Sequence, residues 1–273
     1  MNLVTAWTTL KESDSSDLVL CIDFTGTGRA EAGFSELVAR VDIDATFWHV
    51  EPPGVAPGSG IDGRQYLASW LEPVTASGKT VRAVMGYCVG AVYAGELADR
   101  LAGTQERPPA LILFDPEPTS LANIYFQFGK VFEILSSILS QQDVAVTQEA
   151  RDRLLHQEGV TIESYAEQLY ATFSQVAHNA FARAGLDMEY AEEMLGTFSA
   201  FLSFMSLADQ FDPWDSWKRA VVVSSSSQLN GLKKARASGI EPQVAEELEF
   251  ERPHADLFRS EEIARAVTKV LER

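Results

Sequence analysis

Chemistry is first legible in the run Met85-Gly86-Tyr87-Cys88-Val89-Gly90-Ala91. It has the form Gly-x-Cys-x-Gly, a nucleophile elbow with a thiol as its reactive group. An apolar stretch over 81–85 precedes it, and Ala91, Ala94, Leu97, Ala98 and Leu101 follow at helical spacing. Strand, tight turn and helix in that order are the context such a motif requires. The two glycines suit a turn too sharp to admit side chains on either flank of the nucleophile. A helix starting beside Cys88 would place free N–H groups and the positive end of its dipole near the sulfur, favouring a thiolate. The competing reading is a buried strand cysteine, the usual state of a free thiol.

A thiol nucleophile needs a base to take its proton and a third group to orient that base. Four histidines are available: His49, His156, His178 and His254. His49 lies in a strand-like run beside Trp48 and reads as a satisfied core or surface imidazole. His156 and His178 have polar or charged neighbours in a helical region and read as solvated. His254 falls in a short loop, Arg252-Pro253-His254-Ala255, ahead of Ser260-Glu261-Glu262-Ile263. That second run has the features of a capped helix start, with Ile263, Val267, Val270 and Leu271 as its buried stripe. A histidine there can hang over the carboxyl edge of a sheet, and His254 is the expected base. No Asp or Glu occurs over 216–240, so the strand at 220–224 offers no acid at its end. The strand before it ends Leu113-Phe114-Asp115-Pro116, and Asp115 is the expected orienting acid, against a plain turn-initiating Asp-Pro. An oxyanion would be held by the Val89 backbone N–H at the helix start and by a donor from the turn after Ile22, either Thr25 or, next to it, Phe24. The nearby Gly26-Thr27-Gly28 does not complete a dinucleotide-binding fingerprint, because Glu31 stands where a third glycine would be.

The elements that must position these groups alternate. Apolar runs at 18–22, 46–50, 81–85, 110–114 and 220–224 read as strands, the first as one buried on both faces. Helical stripes run through Phe34, Leu37, Val38 and Val41, and through Leu67, Trp70 and Leu71, while 54–62 is a Gly- and Pro-rich loop. Alternation of this kind predicts an α/β fold, a mostly parallel sheet flanked by helices. Residues 119–210 break the rhythm with about four consecutive helical patterns. One stripe is Ile124, Phe128, Phe132, Leu135 and Leu139; another is Met194, Phe198, Phe201, Leu202 and Met205, with Asp187 as its N-cap. The expected division is a core of residues 1–118 and 211–273 with an all-helical lid insertion at 119–210. A separate helical domain, or helices that merely pack on the sheet, is the competing reading.

The 273 residues suit one large α/β domain or two small ones, and 46% hydrophobic with 22% charged residues is ordinary for a globular protein. A formal net charge of −17 argues against nucleic acid or an anionic membrane as partner. Cys21 and Cys88 are far apart, without metal-ligand spacing, and suit a reducing cytoplasm. Residues 1–17 show no secretory signal pattern, and no apolar stretch is long enough to span a bilayer.

With elbow, acid and histidine placed, the chain resembles the thioesterase branch of the α/β-hydrolases, the group that releases products from polyketide and nonribosomal assembly lines. The order Cys88, Asp115, His254 is the order that fold uses, and in this branch the acid follows the strand after the elbow and a helical lid follows the acid. The thiol departs from the branch's usual serine. It resembles more closely the free-standing Dieckmann cyclases that form tetramic acids and pyridones in antibiotic biosynthesis. That resemblance implies a Cys88–Asp115–His254 triad and a β-ketoacyl-aminoacyl thioester delivered on the phosphopantetheine arm of an acyl or peptidyl carrier protein, with no other cofactor and no metal. It also implies release by intramolecular C–C bond formation, His254 taking the proton from the carbon between two carbonyls. Carrier docking is expected near Lys218 and Arg219 or near Lys233, Lys234 and Arg236, clusters that otherwise read as solvated surface. Three alternatives stay open: a hydrolytic or macrocyclising thioesterase with the same triad, a dienelactone-hydrolase-like enzyme, and a non-catalytic acyl-binding protein on the same fold. The second would need its acid after the later strand, where none occurs.

Overall fold

A computed structural model describes residues 6–25, 31–135 and 139–273. In chain order the elements are β1 (Trp7–Lys11), β2 (Asp17–Ile22), α1 (Phe34–Val38), β3 (Thr46–Val50), α2 (Gly63–Ala76), β4 (Thr80–Tyr87), α3 (Gly90–Ala102) and β5 (Ala110–Phe114). Four helices follow without a strand: α4 (Leu121–Leu135), α5 (Gln141–Leu155), α6 (Ile162–Ala184) and α7 (Met188–Ala208). The chain then returns through α8 (Trp214–Trp217), β6 (Val221–Ser225), α9 (Gly231–Ala237), β7 (Glu246–Phe250), a 3-10 turn over His254–Arg259, and α10 (Glu261–Leu271). The strands form one sheet in the order β1-β3-β2-β4-β5-β6-β7. β1 is antiparallel to β3, and every other pairing is parallel. The elbow strand β4 is therefore central, with the strand bearing Asp115 directly beside it.

Strand alternation divides the core in two. Leu18, Leu20, Ile22 and Val84 face a cluster shared with α2, α3 and the inserted helices, whereas Val19, Cys21, Ala83 and Met85 face a second cluster closed by α1, the 3-10 turn and α10. The insert is continuous with the first cluster. Phe204 of α7 packs against Trp70 and Tyr93, with ring centroids 6.4 and 4.9 Å away, and its carbonyl accepts from the Tyr93 hydroxyl at 2.6 Å.

Local signals explain most boundaries. Asp187 caps α7 by accepting from the Glu189 N–H at 2.9 Å, and Ser260 caps α10 by accepting from the Ile263 N–H at 3.4 Å. Some boundaries differ from the periodicity. The stripe through Val41 outlasts α1, which ends at Val38; Val41 is buried from the following turn. Likewise Leu139 lies beyond α4, just ahead of the Ser140 cap of α5. β6 closes one residue later than the apolar run, at Ser225, because its ladder with β7 continues to Phe250. The edge strands β1 and β7 carry polar residues on half their length and lack a continuous apolar run. None of the helices among the described residues is long and apolar enough to cross a membrane.

α8 seals the return from the insert to the sheet. Trp217 is fully buried there, and its indole N–H donates to the carbonyl of Ala91 in α3 at 3.1 Å. Trp217→Ala should remove about 3–5 kcal/mol of stability, read as a lower midpoint in urea unfolding; a loss below about 1 kcal/mol would contradict this packing role.

Candidate active site

Cys88 and Asp115 are the two non-glycine residues with positive φ among the described residues, at 53° and 42°. Left-handed backbone is costly for such residues and persists only where the surroundings impose it. Here the imposing bonds are visible. Cys88 N–H donates to the Phe114 carbonyl at 3.0 Å, and Asp115 N–H to the Val223 carbonyl at 3.0 Å. The Cys88 carbonyl accepts from Ala91 N–H at 3.1 Å and from Glu117 N–H at 3.2 Å. Each strand ladder thus carries one residue past its end and then turns sharply, placing both side chains at the carboxyl edge of the sheet.

Sterics require the elbow glycines. A Cβ on Gly86 would lie 2.6 Å from the Ala91 Cα, and one on Gly90 would overlap the carbonyl oxygen of Ile22. The helix α3 starts directly after Val89, so the Val89 N–H lies in the first turn, where no intrahelical acceptor exists. Phe24 is buried beside Phe201 and Phe204 of α7, with ring centroids at 5.4 and 5.6 Å, and lines a narrow recess with Cys88 and Val89. Thr25 is exposed at the following position. The Gly26-Thr27-Gly28 turn lies outside the described residues.

Asp115 and His254 meet as the sequence implies. The fully buried Asp115 carboxylate reaches His254 Nδ1 with Oδ2 at 2.7 Å and accepts from the Ser225 N–H with Oδ1 at 2.7 Å. With Nδ1 engaged, Nε2 is the ring nitrogen that remains for the thiol. His254 is not in a loop; it opens the 3-10 turn and is itself buried. Tyr87 fixes it from below. The two rings stack with centroids 4.7 Å apart and planes 21° from parallel, and the Tyr87 hydroxyl donates to the His254 carbonyl at 3.1 Å.

Cys88 and His254 line one cleft of about 520 Å³, together with Glu117, Asn123, Phe126 and Lys234. Glu117, Asn123 and Phe126 escaped sequence reading, and Lys234 entered it only within a carrier-docking cluster. The Cys88 thiol donates to Glu117 Oε2 at 3.9 Å, and Glu117 Oε1 pairs with Lys234 Nζ at 2.8 Å. Glu117 follows Asp115 by two residues at the same strand end, which was the available signal. Lys234 is brought in by α9, whose capping Asn230 accepts from the Lys233 N–H at 3.0 Å and donates to the Ser225 carbonyl at 3.3 Å.

The remaining candidates stand apart. His49 is buried and bonds Asp23 at 2.5 Å. His178 is held above its ordinary pKa by Glu192, 2.7 Å away on the insert's surface, and His156 bonds its own helix at the Asp152 carbonyl. Burial pushes the Cys21 thiol well up, and the nearby Asp23 charge adds to this, so Cys21 is a packing residue. The basic clusters are engaged within the chain: Lys218 with Asp215, Arg219 with Asp99, Lys233 with the Ser225 carbonyl and Arg236 with Glu247. Among the described residues no cluster of three His, Cys, Asp or Glu side chains could hold a metal ion.

The elbow geometry has a direct test. Gly90→Ala must push α3 away from β2, costing about 1–3 kcal/mol as an overpacking change and slowing alkylation of Cys88 by a small thiol reagent. Wild-type stability and wild-type alkylation in this variant would contradict the close contact.

No protein-family model matches the chain, and no curated protein matches it in sequence. Solved structures do. The NocB thioesterase domain, in covalent complex with a fluorophosphonate nocardicin G analogue, is 14% identical over 98% of this chain and 100% of that chain, with a TM-score of 0.53. The Vlm2 thioesterase domain bound with a dodecadepsipeptide is 16% identical over 97% of each chain, with a TM-score of 0.51. At this identity the likeness is one of fold. Together with the sheet order and the elbow on its central strand, it establishes that the protein has the α/β-hydrolase fold.

Proposed function

We propose that this protein is an assembly-line off-loading enzyme that accepts a β-ketoacyl-aminoacyl thioester on Cys88 and releases it by intramolecular Dieckmann cyclisation to a tetramate or pyridone. The observation that carries the reading is the thiol at a strained elbow beside a buried Asp115–His254 pair, all at one sheet edge and opening on one cleft. His254 takes the thiol proton and passes it to the departing carrier thiolate, while Asp115 holds the ring in the required tautomer. The acyl group is then a thioester of Cys88. The oxyanion of each tetrahedral intermediate is received by the Val89 N–H and by a backbone N–H of the Phe24–Thr25 turn, with Thr25 the assigned donor.

The thiol gives the reading its direction. An acyl-cysteine stays more electrophilic towards carbon than an acyl-serine, and thiolate leaves readily. A carbon between two carbonyls is acidic enough for a base in the cleft to remove its proton, and attack on the Cys88 thioester closes the ring without water. Phe126, Trp214, Leu229 and Ile240 give the cleft an apolar lining that disfavours hydrolysis. The substrate would arrive on the phosphopantetheine arm of an acyl or peptidyl carrier protein, as a donor in solution. Likeness of fold to two thioesterase domains favours a second reading, hydrolytic or macrocyclising release through the same triad.

Intact-protein mass spectrometry with a synthetic β-ketoacyl-aminoacyl thioester, together with the mass and ring connectivity of the released product, separates these. Wild type should show an acyl adduct on Cys88 and a released product lighter by one water than the free acid. Cys88→Ala should lose the adduct and slow release by roughly 10⁴-fold or more. Release by Cys88→Ala at the wild-type rate would overturn the proposal, and release of only the free acid would favour the hydrolytic reading.

A further inference from the structure

We infer that Glu117, held by Lys234, is the base that removes the carbon-bound proton in the ring-closing step and returns it to the Cys88 sulfur; this rests on the cyclisation reading above. The starting point is position. Glu117 Oε2 is 3.9 Å from the Cys88 sulfur, and the side chain is 13% exposed, so it looks into the cleft while largely shielded from water. Once an acyl group sits on the sulfur, the attacking carbon must come within bonding approach of the thioester carbonyl attached to that same sulfur. Glu117 Oε2 therefore borders the space that the carbon enters.

Glu31 lines the same cleft, while Asp115 and His254 are committed elsewhere. Asp115 is fully buried and uses both oxygens, one on Ser225 and one on His254. His254 is oriented by Asp115 and stacked on Tyr87, an arrangement suited to the thiol and the departing carrier thiolate. Glu117 is bound differently. Lys234 takes Oε1 at 2.8 Å and leaves Oε2 towards the sulfur, and the backbone N–H of Glu117 bonds the Cys88 carbonyl, which ties the two residues together.

The proton inventory closes with no other reactant. Glu117 Oε2 takes the proton from the carbon between the two carbonyls. The electron pair left on that carbon attacks the thioester carbonyl, the new C–C bond forms, and the C–S bond breaks with its pair going to sulfur. The Cys88 thiolate then recovers its proton from Glu117 across the contact seen in the resting site, and the Lys234 ammonium offsets charge on the enolate as it builds.

The test divides acylation from release. With the same synthetic thioester, Glu117→Gln should slow release of cyclic product about 10²-fold or more beyond any change in Cys88 acylation, so that acyl-enzyme accumulates. Glu117→Asp, which keeps the charge but withdraws it by one methylene, should show the same split at smaller amplitude and carries the test if the Gln variant does not fold. Release by both variants at the wild-type rate would overturn this role and leave the cyclisation reading standing, as would parallel loss of acylation and release. A wild-type enzyme that yields only the hydrolysed acid would overturn the cyclisation reading and this inference together.

Discussion

The site depends on the hydrogen bond from the Cys88 N–H to the Phe114 carbonyl and on its neighbour from the Asp115 N–H to the Val223 carbonyl. Each extends a parallel ladder by one residue beyond the regular strand. Each also forces the next step of the chain into a left-handed turn, the conformation an L-residue least favours. The cost is met by pairing with the adjacent strand, so that strain in β4 is held by β5 and strain in β5 by β6. Cys88 and Asp115 are consequently set by one feature, the register of three parallel strands, and not by two independent loops.

Around that frame the polar groups are arranged in two tiers. Below the sheet edge, Asp115, Ser225, His254 and Tyr87 form a buried set in which both Asp115 oxygens are engaged. Above it, Glu117 and Lys234 face the cleft, Glu117 reaching the sulfur and Lys234 holding Glu117. A buried network fixes geometry because each lost partner leaves a desolvated group. The upper pair is partly wet and less constrained, which suits groups that must meet a succession of intermediates.

Much of this is legible in the sequence. Cys88 and its glycines announced a strand-turn-helix, and Asp115 could be reached because no acid follows β6. The apolar runs gave the central strands, where burial on both faces makes the signal continuous. The edge strands β1 and β7 are silent because each has three polar residues in five and no continuous apolar run. Tyr87 read as one more strand residue, since a period of two says which face a side chain takes and nothing about what stacks on it. Glu117 and Lys234 meet across 117 positions of sequence, through the packing of α9, and no local pattern encodes that. His254 was found, but its 3-10 turn was not, because short turns of that kind carry little periodicity.

The single apolar cluster that runs from β2 and β4 through Tyr93 and Trp70 into Phe204 has an evolutionary consequence. The surface that would select an acyl chain and the interior that keeps the chain folded are two sides of the same helices. New specificity therefore cannot be grafted by exchanging residues 119–210 as a cassette, because the donor helices would have to bring a matching half of the interior with them. Diversification on this scaffold is channelled instead towards exposed side chains lining the cleft, such as Phe126 and Ile240.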